Sequence, residues 1–129
     1  MSKSALSVLA VEDDKFISNA FKTKFEAEGF KFKAAFNGEE ALEILKTFVP
    51  SIIILDIVMP IKNGFEVLKV VKKDKKLSEI PIIVATNLGE EQYIVKAKEM
   101  GANDYMLKSE LSLSELIEKV KYLLSRIRQ

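Results

Sequence analysis

Four apolar runs in this chain end on residues that can handle an ion. Glu12, Asp13 and Asp14 follow LSVLAV, Asp56 follows SIIIL, Thr86 follows IPIIVA, and Lys108 follows NDYML. Carboxylates held close to one another repel unless a cation or protons intervene. Oxygen-only donors with few protein contacts suit Mg²⁺, which keeps waters and shares phosphate oxygens. A nearby lysine supplies a point charge for an anion, and a threonine hydroxyl supplies a hydrogen-bond donor. The combination describes a place for a phosphoryl group on or beside a carboxylate. Aspartate is a competent nucleophile in phosphoryl transfer, where positioning and electrostatics carry most of the catalysis.

The composition narrows the chemistry further. The chain has 129 residues, 48% hydrophobic and 30% charged, with a net charge of +1. That is a globular balance and a length suited to one domain, 1–129. No global field marks it for nucleic acid, so direct nucleic-acid binding is not expected. There is no cysteine and no histidine. This removes thiolate metal sites, disulfides, the commonest general base and the usual partner of a Ser or Cys nucleophile. No apolar run approaches the roughly 20 residues needed to span a bilayer. The start, MSKSALSVLAV, runs at once into EDD without a small-residue cleavage pattern, so it does not read as a signal peptide. A cytoplasmic protein is expected.

Five strand–helix pairs must position these residues. The strands are expected at Leu6 to Val11, Phe30 to Phe36, Ser51 to Asp56, Ile80 to Thr86 and Asn103 to Lys108. The helices are expected at Lys15 to Glu28, Asn37 to Thr47, Asn63 to Lys73, Gly89 to Met100 and Ser112 to Ile127. Asn37 with Glu40, and Ser112 with Glu115, have the spacing of capping boxes, Asp14 suits the cap of the first helix, and Gly101 suits the end of the fourth. All three prolines, Pro50, Pro60 and Pro81, flank or begin strands. Such alternation predicts a parallel sheet with helices on both faces. Only the second strand, FKFKAAF, alternates apolar and charged residues, which places it at an edge. The predicted fold is therefore α/β and doubly wound, of flavodoxin-like (βα)5 type, with strand order 2-1-3-4-5. In that order Asp13 and Asp56 converge at the carboxyl edge, with Thr86 and Lys108 to one side.

Six stretches carry a resemblance: VLAVEDD, NGEEALEIL, LDIVMP, NGFEVL, IPIIVATN and GANDYMLK. Together they resemble the receiver domain of bacterial two-component response regulators, close to the single-domain chemotaxis type, over essentially the whole length. The resemblance implies that Asp56 is the phosphoacceptor. It implies that Asp13 and Asp56 bind Mg²⁺ directly, Glu12 through water, and Val58 through its backbone carbonyl. Thr86 would bond the phosphoryl oxygen, Lys108 would bridge to the acceptor or its phosphate, and Tyr105 would be the aromatic that turns with the switch. It implies a histidine kinase or histidine phosphotransfer protein as donor, a changed surface on the last two helices and the strand between them, a downstream protein target, and at most a weak homodimer. No membrane partner is implied.

The chain departs from the family pattern in places. Ser109 follows Lys108 where the family usually has a cis-linked proline. A cis bond before a non-proline residue costs about 2.5–4 kcal/mol, so a trans bond is expected. Asn87 stands where the family mostly has a smaller residue, and it would narrow access to Asp56 or reach the phosphoryl group. Val58 and Leu88 are apolar where fast-cycling regulators often carry polar side chains, which points to a long-lived phosphoaspartate. The close SRIRQ suits a natural end or the start of a linker. Other readings make distinct demands. A haloacid-dehalogenase-type hydrolase wants a second acid two residues after the nucleophile, where Val58 stands. A flavodoxin-like electron carrier wants a Ser/Thr/Gly-rich phosphate loop where EDDKF stands. A degenerate receiver acting only as a scaffold would keep the fold without modification, although the acids here are intact.

Overall fold

A computed structural model describes residues 6–127. The readings of the extreme amino terminus, and of Arg128 and Gln129 in the closing SRIRQ, lie outside them. The elements run β1 (Ser7–Val11), α1 (Lys15–Ala27), β2 (Lys31–Ala35), α2 (Gly38–Leu45), β3 (Ile52–Leu55), α3 (Gly64–Lys73), β4 (Ile82–Thr86), α4 (Glu91–Glu99), β5 (Asp104–Leu107) and α5 (Leu113–Ile127). Every expected element is present, trimmed by a residue or two at its ends. One element was not foreseen, a 3-10 turn at Lys108–Glu110 directly after β5. The sheet is parallel throughout and ordered β2-β1-β3-β4-β5, a flavodoxin-like α/β fold.

Burial explains which strand lies where. Ile52–Leu55 and Ile82–Thr86 are buried at every position, because helices cover both faces of the sheet centre. The first four residues of Lys31–Ala35 alternate exposed and half-buried, as an edge strand guarded by lysines does, and Ala35 at its end is buried. One layer of core joins Phe21 and Phe25 of α1 and Leu116, Val120 and Leu124 of α5 to Val8, Ile52, Ile54 and Ile83. The opposite layer joins Ala41, Leu45, Val67, Leu68, Val71 and Ala97 to Leu9, Val11, Ile53, Leu55 and Val84. Each large aliphatic side chain buried this way contributes about 1.5–3 kcal/mol.

Local chemistry starts the helices. Asp14 Oδ1 accepts from the Phe16 and Ile17 N–H groups at 2.9 and 3.1 Å. Ser112 and Glu115 exchange bonds of 3.0 Å in both directions, a reciprocal capping box. The box expected at Asn37 is incomplete. Asn37 Oδ1 accepts from the Glu40 N–H at 2.8 Å, but the Glu40 carboxylate reaches back one residue further, to the Phe36 N–H at 2.6 Å. Asn37 is fully extended (φ −161°, ψ 173°), and this leaves the Phe36 amide as the donor within reach. Gly101, at φ +109°, closes α4 in a conformation that L side chains resist. None of the described residues has a cis peptide bond, so Lys108–Ser109 is trans. None of the described helices is long and apolar enough to cross a membrane.

Candidate functional site

The carboxyl edge of the sheet gathers charged groups that the core would otherwise reject. Glu12 lies just past β1 and is 2% exposed, and Asp56 lies just past β3 and is 4% exposed. Asp13 is exposed at the rim. One carboxylate oxygen from each of Glu12, Asp13 and Asp56 lies within 4.8 Å of the others. Lys108 Nζ stands between two of them, 2.8 Å from Glu12 Oε1 and 2.8 Å from Asp56 Oδ2. The remaining oxygens are also engaged. Glu12 Oε2 accepts from the Asp14 N–H at 3.0 Å, and Asp56 Oδ1 accepts from the Val58 N–H at 3.2 Å. The Val58 side chain points out, 57% exposed.

Each of these contacts answers a desolvation cost. Burial pushes the Glu12 carboxyl above the ordinary glutamate value, and the hydrogen bond from Lys108 only partly offsets this. Burial alone would lower Lys108. Its hydrogen bonds to Asp56 and Glu12, reinforced by their charges, more than reverse that and hold it above the ordinary lysine value. Three carboxylates face one ammonium here, so the ionised cluster keeps two uncompensated negative charges. An all-oxygen set with that excess fits a hard divalent cation such as Mg²⁺ and does not fit a thiophilic metal.

Thr86 and Tyr105 form a second constellation beside the first. Thr86 is fully buried at the end of β4, and its Oγ1 accepts from the Leu88 N–H at 3.5 Å. The Tyr105 hydroxyl donates to the Leu88 carbonyl at 2.7 Å. Burial raises the Tyr105 pKa above 10.0, and the negative charges of Glu90 and Asp56 add to the effect. The structure thus brings Glu12, Asp13, Asp56 and Lys108 together. It joins Thr86 to Tyr105 through the backbone of Leu88 and not through the acids. Asn87 is exposed.

Three features escaped the sequence. Leu88 acts as a connector through its N–H and C=O, which every residue has. Gly64 starts α3 pressed on the Asp56 carbonyl, where no side chain fits, and its N–H donates to Ile57 O at 2.9 Å. The asparagine before it, spaced as a helix cap, was the available signal. Ile61 adopts φ +70°, unusual for a β-branched residue, in the loop after Asp56. A groove of about 870 Å³ lies between β5 and α5 around Tyr105, Leu111, Glu118 and Tyr122, and holds none of the acid cluster. A smaller groove of about 170 Å³ runs from Phe16, Ile17 and Phe21 to Leu111 and Leu113, and includes Lys108. Of the acid cluster, Asp13 is the exposed member, so the cluster meets solvent at the rim of the sheet.

Residues 8–121 match the family model described as response regulator receiver domain. Among curated relatives, "Probable transcriptional regulator ycf27" of Porphyra purpurea is 35% identical over 119 residues, 92% of this chain and 47% of that protein. Response regulator SaeR of Staphylococcus aureus is 34% identical over 122 residues, 95% of this chain and 52% of that protein. The chain thus spans about half the length of the curated relatives it matches. The solved receiver domain of the Francisella response regulator 1452 superposes with a TM-score of 0.86 at 34% identity, covering 95% of this chain and 98% of that one.

Proposed function

The chain belongs to the response regulator receiver family of two-component signalling, and on that premise we propose that it is a switch worked by phosphorylation of Asp56. The observation that carries the reading is the meeting of Glu12, Asp13 and Asp56 within 4.8 Å, with Lys108 Nζ 2.8 Å from two of them. An Asp56 carboxylate oxygen attacks the phosphorus of a phosphohistidine on a histidine kinase or histidine phosphotransfer protein. The new O–P bond forms as the P–N bond breaks, and the released imidazole takes up a proton. Bound Mg²⁺ would supply charge neutralisation of the transferring phosphoryl oxygens. Asp13, Asp56 and the Val58 carbonyl would hold it directly, and Glu12 through water. Lys108, already beside Asp56, follows the transferred group as a point charge. The domain acts as a signalling acceptor, and its catalysis is limited to its own phosphorylation and dephosphorylation.

The added charge then draws the Thr86 hydroxyl toward the phosphoryl group. That breaks its bond from Leu88 and frees the Leu88–Tyr105 link. Tyr105 turns inward, and the surface of α4, β5 and α5 changes for a downstream protein partner. The reading takes 1–129 as one receiver domain working in the cytoplasm. Val58 and Leu88 offer no polar group to orient an attacking water, so the phosphoaspartate is long-lived.

Treatment with acetyl phosphate or beryllofluoride, with and without Mg²⁺, tests the site on the wild type and on Asp56→Asn. Metal-dependent modification should map to Asp56 and vanish in the variant. A mass shift on any other residue would overturn the assignment, and loss of phosphate within seconds from the isolated protein would overturn the long lifetime.

A further inference from the structure

The turn between β2 and α2 gives the site no ionisable side chain, yet its backbone touches both sides of it. The Ala35 carbonyl accepts from the Glu12 N–H at 2.9 Å. Three residues later the Gly38 N–H donates to the Lys62 carbonyl at 3.0 Å. Lys62 belongs to the loop that follows Asp56 and carries Val58. A methyl group on Gly38 would overlap the Lys62 carbonyl oxygen and lie 2.6 Å from Lys62 Cβ and 2.8 Å from its carbonyl carbon. Backbone atoms are among these obstacles, so no side-chain rotation relieves the clash. The turn is also stiff. Its Phe36 N–H is spent on Glu40, and Asn37 Oδ1 is spent on the Glu40 N–H. The far end of the loop is fastened separately by Gly64, whose N–H donates to Ile57 O. Between the two fasteners Ile61 is kept at φ +70°, a conformation that persists only where its surroundings impose it.

Building on the receiver reading, we propose that Gly38 is a positioning residue of the cation site. The 35–38 turn is a strap that sets the separation between the Glu12–Asp13 segment and the loop bearing Val58. Coupling of this kind is reciprocal. If the strap's closure raises cation affinity, cation binding must hold the strap closed by the same factor.

The test begins with wild-type protein and Mg²⁺ alone. NMR shifts at Asp13 and Asp56 report binding, and amide exchange at Gly38 reports the strap. Exchange at Gly38 should slow by about tenfold at saturating Mg²⁺. Exchange at Gly29, in the α1–β2 turn, should not change. In Gly38→Ala the Mg²⁺ dissociation constant should rise about tenfold. The rate of modification by acetyl phosphate at saturating Mg²⁺ should stay near that of the wild type, a split that general destabilisation would not produce. Gly29→Ala is the control: it is strained at φ +92° with open space around it, and should lose stability without losing Mg²⁺ affinity. Absence of Mg²⁺ shifts at Asp13 and Asp56 would sink the site reading itself. Shifts without any change at Gly38 would sink the strap alone. Should Gly38→Ala not fold, the wild-type exchange decides the matter.

Discussion

α3 and α4 follow β3 and β4, whose carboxyl ends carry Asp56 and Thr86, and they are held very differently. α3 opens on a closed capping box, with Asn63 Oδ1 accepting from the Glu66 N–H at 3.0 Å and the Glu66 carboxylate accepting from the Asn63 N–H at 2.8 Å. It buries Val67, Leu68 and Val71, and near its end Lys72 Nζ donates to the Ser78 and Ile80 carbonyls at 3.2 Å each. α4 opens on Glu90 with no side-chain cap, and Ala97 is its one fully buried residue. Val95 on α4 is 44% exposed. Segments with few buried apolar contacts open at low free-energy cost. Asp56 is therefore mounted beside a firmly held helix, and Thr86 beside a loosely held one. In the proposed switch, a modification at Asp56 need not strain its own support, because the cheap displacement is available next door.

Five substitutions can break or sharpen that contrast. The largest effect is expected from Leu68→Ala, which should cost about 2–5 kcal/mol of stability by denaturant unfolding. Val95→Ala on α4 should stay within about 0.5 kcal/mol, and equal costs for the two would erase the distinction. Asn63→Ala, which opens the capping box of α3, should cost about 1 kcal/mol in the same assay. Glu90→Ser should act in the opposite direction, supplying the cap that α4 lacks and adding roughly 0.5–1 kcal/mol. It should also slow amide exchange along α4, and unchanged exchange there would mean that the helix is held by something other than its end. The smallest effect is at alkaline pH. The folded state holds the Tyr105 phenolic proton more tightly than the unfolded chain does. Its contribution is therefore fully present below pH 10.0 and lost as pH rises through the folded pKa. The tyrosinate absorbance difference between wild type and Tyr105→Phe should titrate above 10.0, and a midpoint at or below 10.0 would contradict the half-buried, acid-flanked setting.

Much of this architecture was legible from local patterns. The apolar runs SIIIL and IPIIVA had to be central strands, and FKFKAAF had to be an edge, because side-chain burial follows strand periodicity. The strand order then followed, and with it the nearness of Asp13 and Asp56. The direct bonds from Lys108 to Glu12 and Asp56 together were only half foreseen: the expectation paired Lys108 with Asp56 and gave Glu12 to a water. The Leu88 link between Thr86 and Tyr105, the turn at Lys108–Glu110, the left-handed Ile61 and the displaced Glu40 bond were invisible. Each depends on backbone groups that are chemically the same at every residue.

The order of residue types along this chain determined, by itself, the five strands and helices, the sheet order and the identity of the acids at its rim. Periodicity and capping are short-range, and a parallel doubly wound sheet leaves few ways to arrange them. Only the folded chain decided which atom meets which: that Lys108 stands between two buried carboxylates, that Leu88 ties the threonine to the tyrosine, and that Gly38 bears on Lys62. Those pairings join segments 24 to 96 residues apart in two of the three cases, and their geometry is set to fractions of an ångström by packing of the whole core, which no local pattern encodes.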